Sequence, residues 1–148
     1  MKRLILAMTM MLTIGLTSVY ANNNTEINEQ VTASFSKEFS NAQNVVWQQQ
    51  KQYAVASFTL NGQVMFARYT EEGKLLAVWR NVLSDHLPIF LLINLKKNYS
   101  NYWISDLIEM TCEDLTAWYI KLENAGETLI LKSGIYNQWE VYKRIKKE

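Results

Sequence analysis

Asn61-Gly62 sits between two runs of strand-forming residues, Tyr53–Leu60 and Gln63–Tyr69. A two-residue Asn-Gly loop fits a type I′ turn, which needs positive φ at both positions and matches the twist of paired strands. The loop sets the register. Leu60 faces Gln63, Phe58 faces Met65, Ala56 faces Ala67 and Ala54 faces Tyr69. Directly opposed residues share a sheet face. Phe58, Leu60, Met65 and Tyr69 therefore belong to a helix-covered core. Tyr53, Val55, Ser57, Thr59, Val64, Phe66 and Arg68 occupy the other face.

The helix precedes the hairpin. Ile27, Val31, Phe35 and Phe39 recur every four residues, with Glu29, Lys37 and Glu38 between them, which gives an amphipathic helix with a narrow apolar stripe. It is expected to end at Ser40-Asn41, because Asn tolerates the left-handed conformation at a helix exit. A short strand at Val45–Trp47, a turn at Glu71-Glu72-Gly73 and a third hairpin-type strand at Leu75–Arg80 complete the unit.

The same order then recurs. Ser84 or Asp85 is placed to cap a second helix with Pro88 in its first turn, and Leu87, Phe90, Leu91, Leu95 and Tyr99 form its apolar face. Phe39-Ser40-Asn41 is echoed 60 residues on by Tyr99-Ser100-Asn101, after Lys37 and Lys97 respectively. Phe58-Thr59-Leu60 is echoed by Ile120-Lys121-Leu122, with Glu123-Asn124-Ala125-Gly126 as the following turn. Ser133-Gly134 answers Glu72-Gly73, and Trp139–Tyr142 supplies the last strand. In this half Trp118, Ile120, Leu122, Leu129 and Leu131 point inward, and Tyr119, Lys121, Thr128 and Ile130 outward. With Leu76 and Val78 on the core side, Trp79 and Tyr142 point out; the opposite phase stays open. The predicted class is α+β, as tandem helix-plus-antiparallel-sheet repeats over about 25–82 and 84–147.

Residues 1–21 read as a secretory signal peptide. Lys2 and Arg3 precede an apolar run from Leu4 to about Leu16, and Val19-Tyr20-Ala21 offers a cleavage site. The run is shorter than the roughly 20 apolar residues of a spanning helix. Thr9, Thr13, Gly15, Thr17 and Ser18 also interrupt it. Cleavage leaves 22–148 as one domain, opened by a polar lead-in at Asn22–Thr25. The only cysteine, Cys112, does not follow the cut, so neither a lipid anchor there nor an internal disulfide is available. The expected product is released into the periplasm or secreted, without stable membrane anchoring.

Charge and residue type narrow the chemistry. Without Lys2 and Arg3 the 15 basic residues fall to 13, against 14 acidic ones. That near-neutral balance argues against a nucleic-acid partner, and the basic run Lys143, Arg144, Lys146 and Lys147 reads as a solvated end. One histidine, His86, and one cysteine exclude multi-histidine or thiolate metal sites. His86 stands at the expected start of the second helix, with no marker of a Ser-His-Asp or Cys-His device. The neighbouring carboxylates Glu71-Glu72 and Glu113-Asp114 lack the alternating ligands of a calcium loop. No glycine-rich phosphate loop is present, and no cofactor or catalytic residue is assigned.

The ordered series Phe39-Ser40-Asn41-Ala42, Val46-Trp47, Phe58-Thr59-Leu60-Asn61-Gly62 and Glu71-Glu72-Gly73-Lys74, with Leu87-Pro88 opening the second helix, resembles the PepSY-like family. These exported proteins, found largely in Bacteroides-type bacteria, are also described as β-lactamase-inhibitor-like. The resemblance implies a fold like that of the β-lactamase inhibitor proteins: two units side by side, one broad curved sheet, helices on one side and the other side open. It brings no catalytic residues. On the open face Tyr53, Phe66, Arg68, Trp79, Tyr119, Lys121 and Tyr142 form a candidate binding surface for a protein or peptide, since aromatics and Arg concentrate interface energy. The same residues are alternatively covered by the lead-in, a loop or a second chain, or are scattered surface aromatics. Inhibition of a hydrolase is the specific version of the binding function. The competing expectations are a small-ligand or envelope-stress binding module and, last, a hydrolytic enzyme.

Overall fold

Asn28 begins the described chain's first helix by accepting a hydrogen bond on its side chain from the Gln30 amide at 2.9 Å, satisfying one of the free N–H groups of the first turn. The computed structural model describes residues 27–134 and 138–148. The expected signal peptide, residues 1–21, and the lead-in at Asn22–Thr25 lie outside the described residues. Helix α1 (Glu29–Glu38) is followed by strands β1 (Gln43–Gln50), β2 (Tyr53–Leu60), β3 (Gln63–Thr70) and β4 (Leu75–Asn81). A 3-10 turn (Ser84–His86) and helix α2 (Ile89–Asn98) lead into β5 (Trp103–Cys112), β6 (Leu115–Glu123), β7 (Glu127–Ser133) and β8 (Trp139–Lys146). All eight strands form one antiparallel sheet in the order β1 to β8, so every strand pairs with its neighbour in sequence.

The hairpin register follows the Asn-Gly turn as expected. Asn61 and Gly62 have φ of 51° and 78°, and Leu60↔Gln63, Phe58↔Met65, Ala56↔Ala67 and Ala54↔Tyr69 are partners. Val31 and Phe35 of α1 pack on Ala54, Ala56, Phe58, Ala67 and Tyr69. Phe35 meets Trp47 and Phe58 edge-on, at ring distances of 5.2 and 5.0 Å, an arrangement the ring quadrupoles favour. Gly73 (φ +80°) brings the β3–β4 turn against α1; a Cβ there would lie 2.7 Å from the Gln30 carbonyl oxygen. A second core places Leu87, Leu91 and Leu95 on Leu107, Ile120, Leu122, Leu129, Leu131 and Trp139. The Trp139 indole N–H donates to the Leu91 carbonyl at 3.0 Å, tying β8 to α2.

Four local expectations are corrected. The short strand at Val45–Trp47 is the eight-residue β1. The left-handed residue after α1 is Asn44 (φ 53°), where β1 bulges, and not Asn41. The second helix starts at Ile89 with Pro88 as its N-cap, because Ser84 and Asp85 belong to a separate 3-10 turn that the Leu87 amide closes on the Ser84 carbonyl. On β4 a bulge opposite Arg68 and Tyr69 puts Leu75, and not Leu76, with Val78 against the first core.

Between the two cores, Arg80 pairs with Glu109 across the β4–β5 junction at 2.6 Å and donates to the Gln63 side-chain oxygen at 2.6 Å. Alternation along β4 puts Arg80 on the same face as Val78, so this polar seam lies on the helix side. At the end of the sheet the Lys147 ammonium reaches the Glu123 carboxylate and the Asn124 carbonyl, both at 2.9 Å. That contact, with help from Ser105 and Lys121, holds the Glu123 carboxyl down at about 2.

Candidate functional site

The face without helices is built by alternation. Val55 on β2 pairs with Arg68 on β3, and Arg68 with Ala77 on β4. One row along, Ser57 faces Phe66, Phe66 faces Trp79, and Trp79 faces Met110 on β5. A further row sets Ile108 opposite Tyr119 and Tyr119 opposite Lys132. Val55, Ala77, Trp79, Met110 and Tyr119 form a third apolar cluster, flanked by Phe66, Ile108, Cys112 and Ala117. This cluster spans the β4–β5 junction on the side opposite the two helix-covered cores.

Phe66 and Trp79 stack at 5.3 Å with 10° between their planes. Tyr119 meets Tyr142 edge-on at 6.2 Å. The Arg68 guanidinium carbon lies 5.3 Å from the Tyr53 ring centre and 6.0 Å from that of Trp79, within the range of cation–π attraction. The Lys132 ammonium lies 5.8 Å from the Tyr119 ring centre. Six of the seven expected site residues thus meet in ring or cation contacts along one face. Lys121 is different: it shares the face but pairs with Glu123 at 3.1 Å, away from the rings.

Exposure corrects the expectation of an outward aromatic surface. Arg68 is 3 %, Tyr119 5 % and Trp79 7 % exposed. These side chains pack on one another: Ala77, opposite Arg68, has no bulk beyond Cβ and leaves room for larger neighbours to close over it. Phe66, Tyr53 and Tyr142 are half-buried. The exposed apolar surface on this face includes Val46 and Val64, 58 % and 57 % exposed, and, further along the sheet, Leu115 and Trp103. Val64 was placed on this side by the hairpin register. Val46 was missed because the Asn44 bulge sets the phase of β1, and Met110 because no turn signal announces β4–β5 pairing.

Burial shapes the electrostatics. The Arg68 side-chain Nε and the Tyr119 hydroxyl are buried without a hydrogen-bond partner. Desolvation lowers the Arg68 pKa and raises that of the Tyr119 hydroxyl. It also raises the Cys112 thiol, which lies within electrostatic reach of Lys132 and Arg68. A thiol held neutral is a poor counter-ion for the guanidinium. His86 is exposed and paired with its neighbour Asp85 at 2.9 Å, far along the fold from Cys112. Among the described residues no group of three or more His, Cys, Asp or Glu is arranged for a metal, and no helix is long and apolar enough to cross a membrane. Two solvent-open hollows, around Trp103–Glu127 and Leu83–Asp106, lie away from the aromatic cluster.

No protein-family model matches the chain, and no curated protein matches it in sequence. Solved structures do. A DUF2874 family protein from Bacteroides ovatus superposes with TM-score 0.69 at 19 % identity, covering 80 % of this chain and 86 % of its own. A candidate periplasmic protein from Bacteroides eggerthii gives 0.70 at 15 % identity, over 80 % and 87 %. A BLIP-like protein from Bacteroides fragilis gives 0.67 at 17 % identity, over 80 % and 85 %. At these identities the likeness is one of fold: an open eight-stranded antiparallel sheet with two helices, shared with DUF2874 and BLIP-like proteins of Bacteroides.

Proposed function

We propose that this chain is an exported, non-enzymatic binding protein that engages an envelope protein or peptide through the helix-free face of its sheet. The observation that carries this reading is the gathering of Tyr53, Phe66, Arg68, Trp79, Tyr119 and Tyr142 on that face, with Val46 and Val64 exposed there. Aromatic and Arg side chains are the anchors of protein interfaces, and contiguous apolar surface marks partner sites. Export rests on residues 1–21 as a signal peptide cut after Ala21, and the periplasmic description of a neighbour of the same fold supports it. Residues 22–148 are then one PepSY-like domain of two α-β units, each a helix followed by four strands. Inhibition of a hydrolase is the specific version, supported by the BLIP-like neighbour and limited by the fact that one fold hosts many functions.

The test is capture of partners from envelope extract by the exported protein, in parallel with Phe66→Ala, Trp79→Ala, Val46→Asp and Val64→Glu. The two valine changes sit on exposed positions and leave the fold intact. The expected result is loss, in at least one of the four, of a partner held by wild type. Retention of every wild-type partner by all four variants rules this face out as the binding surface.

A further inference from the structure

Arg68 is an ionised side chain in a place where ionised side chains are seldom left alone. It is 3 % exposed, and its Nε has no hydrogen-bond partner. No carboxylate among the described residues pairs with it; its neighbours are the Tyr53 and Trp79 rings, Val55 and Ala77 across the strands, and the Cys112 thiol. Buried cations are normally paired and hydrogen-bonded, because taking the charge out of water is costly. Two aromatic rings compensate only part of that cost.

We infer that Arg68 is the anchor of an anion site on the helix-free face, and that its ligand is a carboxylate carried on an apolar or aromatic body. The inference rests on that face being the binding surface. Two observations select the class. The guanidinium is a flat fork whose donors match the two oxygens of a carboxylate, and the Nε donor is unused. The walls are apolar and aromatic, which disfavours a dianion such as phosphate, because its desolvation costs far more than that of a carboxylate. Tyr53, the nearer ring, is half-buried at the first position of β2, so the anion reaches the guanidinium by displacing this partly exposed ring. The Tyr119 hydroxyl, also buried and unpartnered in the same cluster, is a second donor without a use.

The carboxylate has two sources: an acidic side chain on a partner protein, or a free aromatic acid. Benzoate serves as the probe for the shared chemistry. It is titrated into the exported protein at constant ionic strength, with acetate, phosphate and chloride in parallel, while the thermal midpoint and the Arg68 Nε–H resonance are followed. The expected result is a saturable rise in midpoint and a saturable shift of that resonance with benzoate, weaker with acetate, and none with chloride. Arg68→Met removes the unpaired charge, so it is expected to raise the midpoint without benzoate and abolish the response. Arg68→Lys keeps charge without the fork and should bind benzoate about tenfold more weakly.

A benzoate response no larger than that of chloride overturns the site. So does saturation that survives in Arg68→Met, and phosphate binding as tight as benzoate overturns the choice of ligand. The partner-capture test separates the two claims. If benzoate fails while Val46→Asp or Val64→Glu still loses a partner, the anion site is wrong and the binding face stands. If benzoate binds but no face variant loses a partner, the ligand is a free acid and the protein-binding reading falls.

Discussion

Two tyrosines on opposite faces of the sheet show how one hydroxyl changes sign with its surroundings. Tyr69 is fully buried under α1, and its hydroxyl donates to the Glu38 carboxylate at 3.1 Å. Tyr119 is as deeply placed, but its hydroxyl has no partner. An intramolecular hydrogen bond contributes about 1 kcal/mol, whereas a buried unsatisfied group costs about 1–3 kcal/mol. Tyr69→Phe is therefore expected to destabilise by about 1 kcal/mol, and Tyr119→Phe to stabilise by a similar amount, read from denaturant midpoints. The two share one pH signature. Burial raises both hydroxyls above their ordinary value, and for Tyr69 the Glu38 charge adds to the rise. The unfolded chain loses these protons near pH 10, at about the model-peptide value, while the folded chain keeps them. Their contribution is complete below that pH and is lost as pH climbs toward the folded values. Either Phe variant should flatten the alkaline fall in stability; an unchanged slope in both would show that other groups cause it. At this scale the sequence was legible where a local rule applied. The Asn61-Gly62 turn alone put Tyr69 under the helix and Arg68 and Phe66 on the other side. The burial of Arg68 was not legible, because it depends on Ala77 and Trp79 of the next strand and on how their side chains close over it.

Helix α2 carries apolar residues on both of its sides. Leu91 and Leu95 face the second core, while Ile89, Phe90 and Ile93 are exposed. Its composition placed it as a helix, and its 3.6-residue period could not say which of so many apolar residues would be buried. Phe90, assigned from the sequence to the buried face together with Leu91, is 66 % exposed, and Leu91 is 0 %. Adjacent residues stand 100° apart on a helix, so only one of the two can sit at the centre of the contact. Thermal or chemical unfolding of two variants separates them. Leu91→Ala should cost about 2–5 kcal/mol through lost contacts and a cavity, and Phe90→Ala no more than about 0.5 kcal/mol. Comparable losses in both would mean that the exposed side of α2 is covered in solution.

At the scale of the molecule, three apolar clusters among the described residues hold one sheet. The two under the helices are separated by the Arg80–Glu109–Gln63 seam, and the third crosses the same junction on the far face through Trp79 and Met110. Apolar contact between the halves therefore runs along the helix-free side, where the aromatic residues also gather. Met110→Ala should cost about 2–5 kcal/mol, and in wild type tryptophan fluorescence and far-ultraviolet circular dichroism should report a single coincident unfolding transition. Two resolved transitions in wild type would show that the halves unfold separately. The pairing of β4 with β5 was the part of the fold least readable from sequence. The strands are joined through a 3-10 turn and a helix, so no tight turn specifies their register.

Because every strand pairs with the one made just before it, the sheet has no step that must wait for a distant segment. Six of its seven pairings close a short hairpin or turn, and only β4–β5 spans a longer connection; closing such small loops costs little chain entropy. For a polypeptide synthesised from its N-terminus, that is a kinetic property as much as an architectural one. The first helix and its four strands can assemble while the remainder is still being made, and each later strand arrives to find its template already in place.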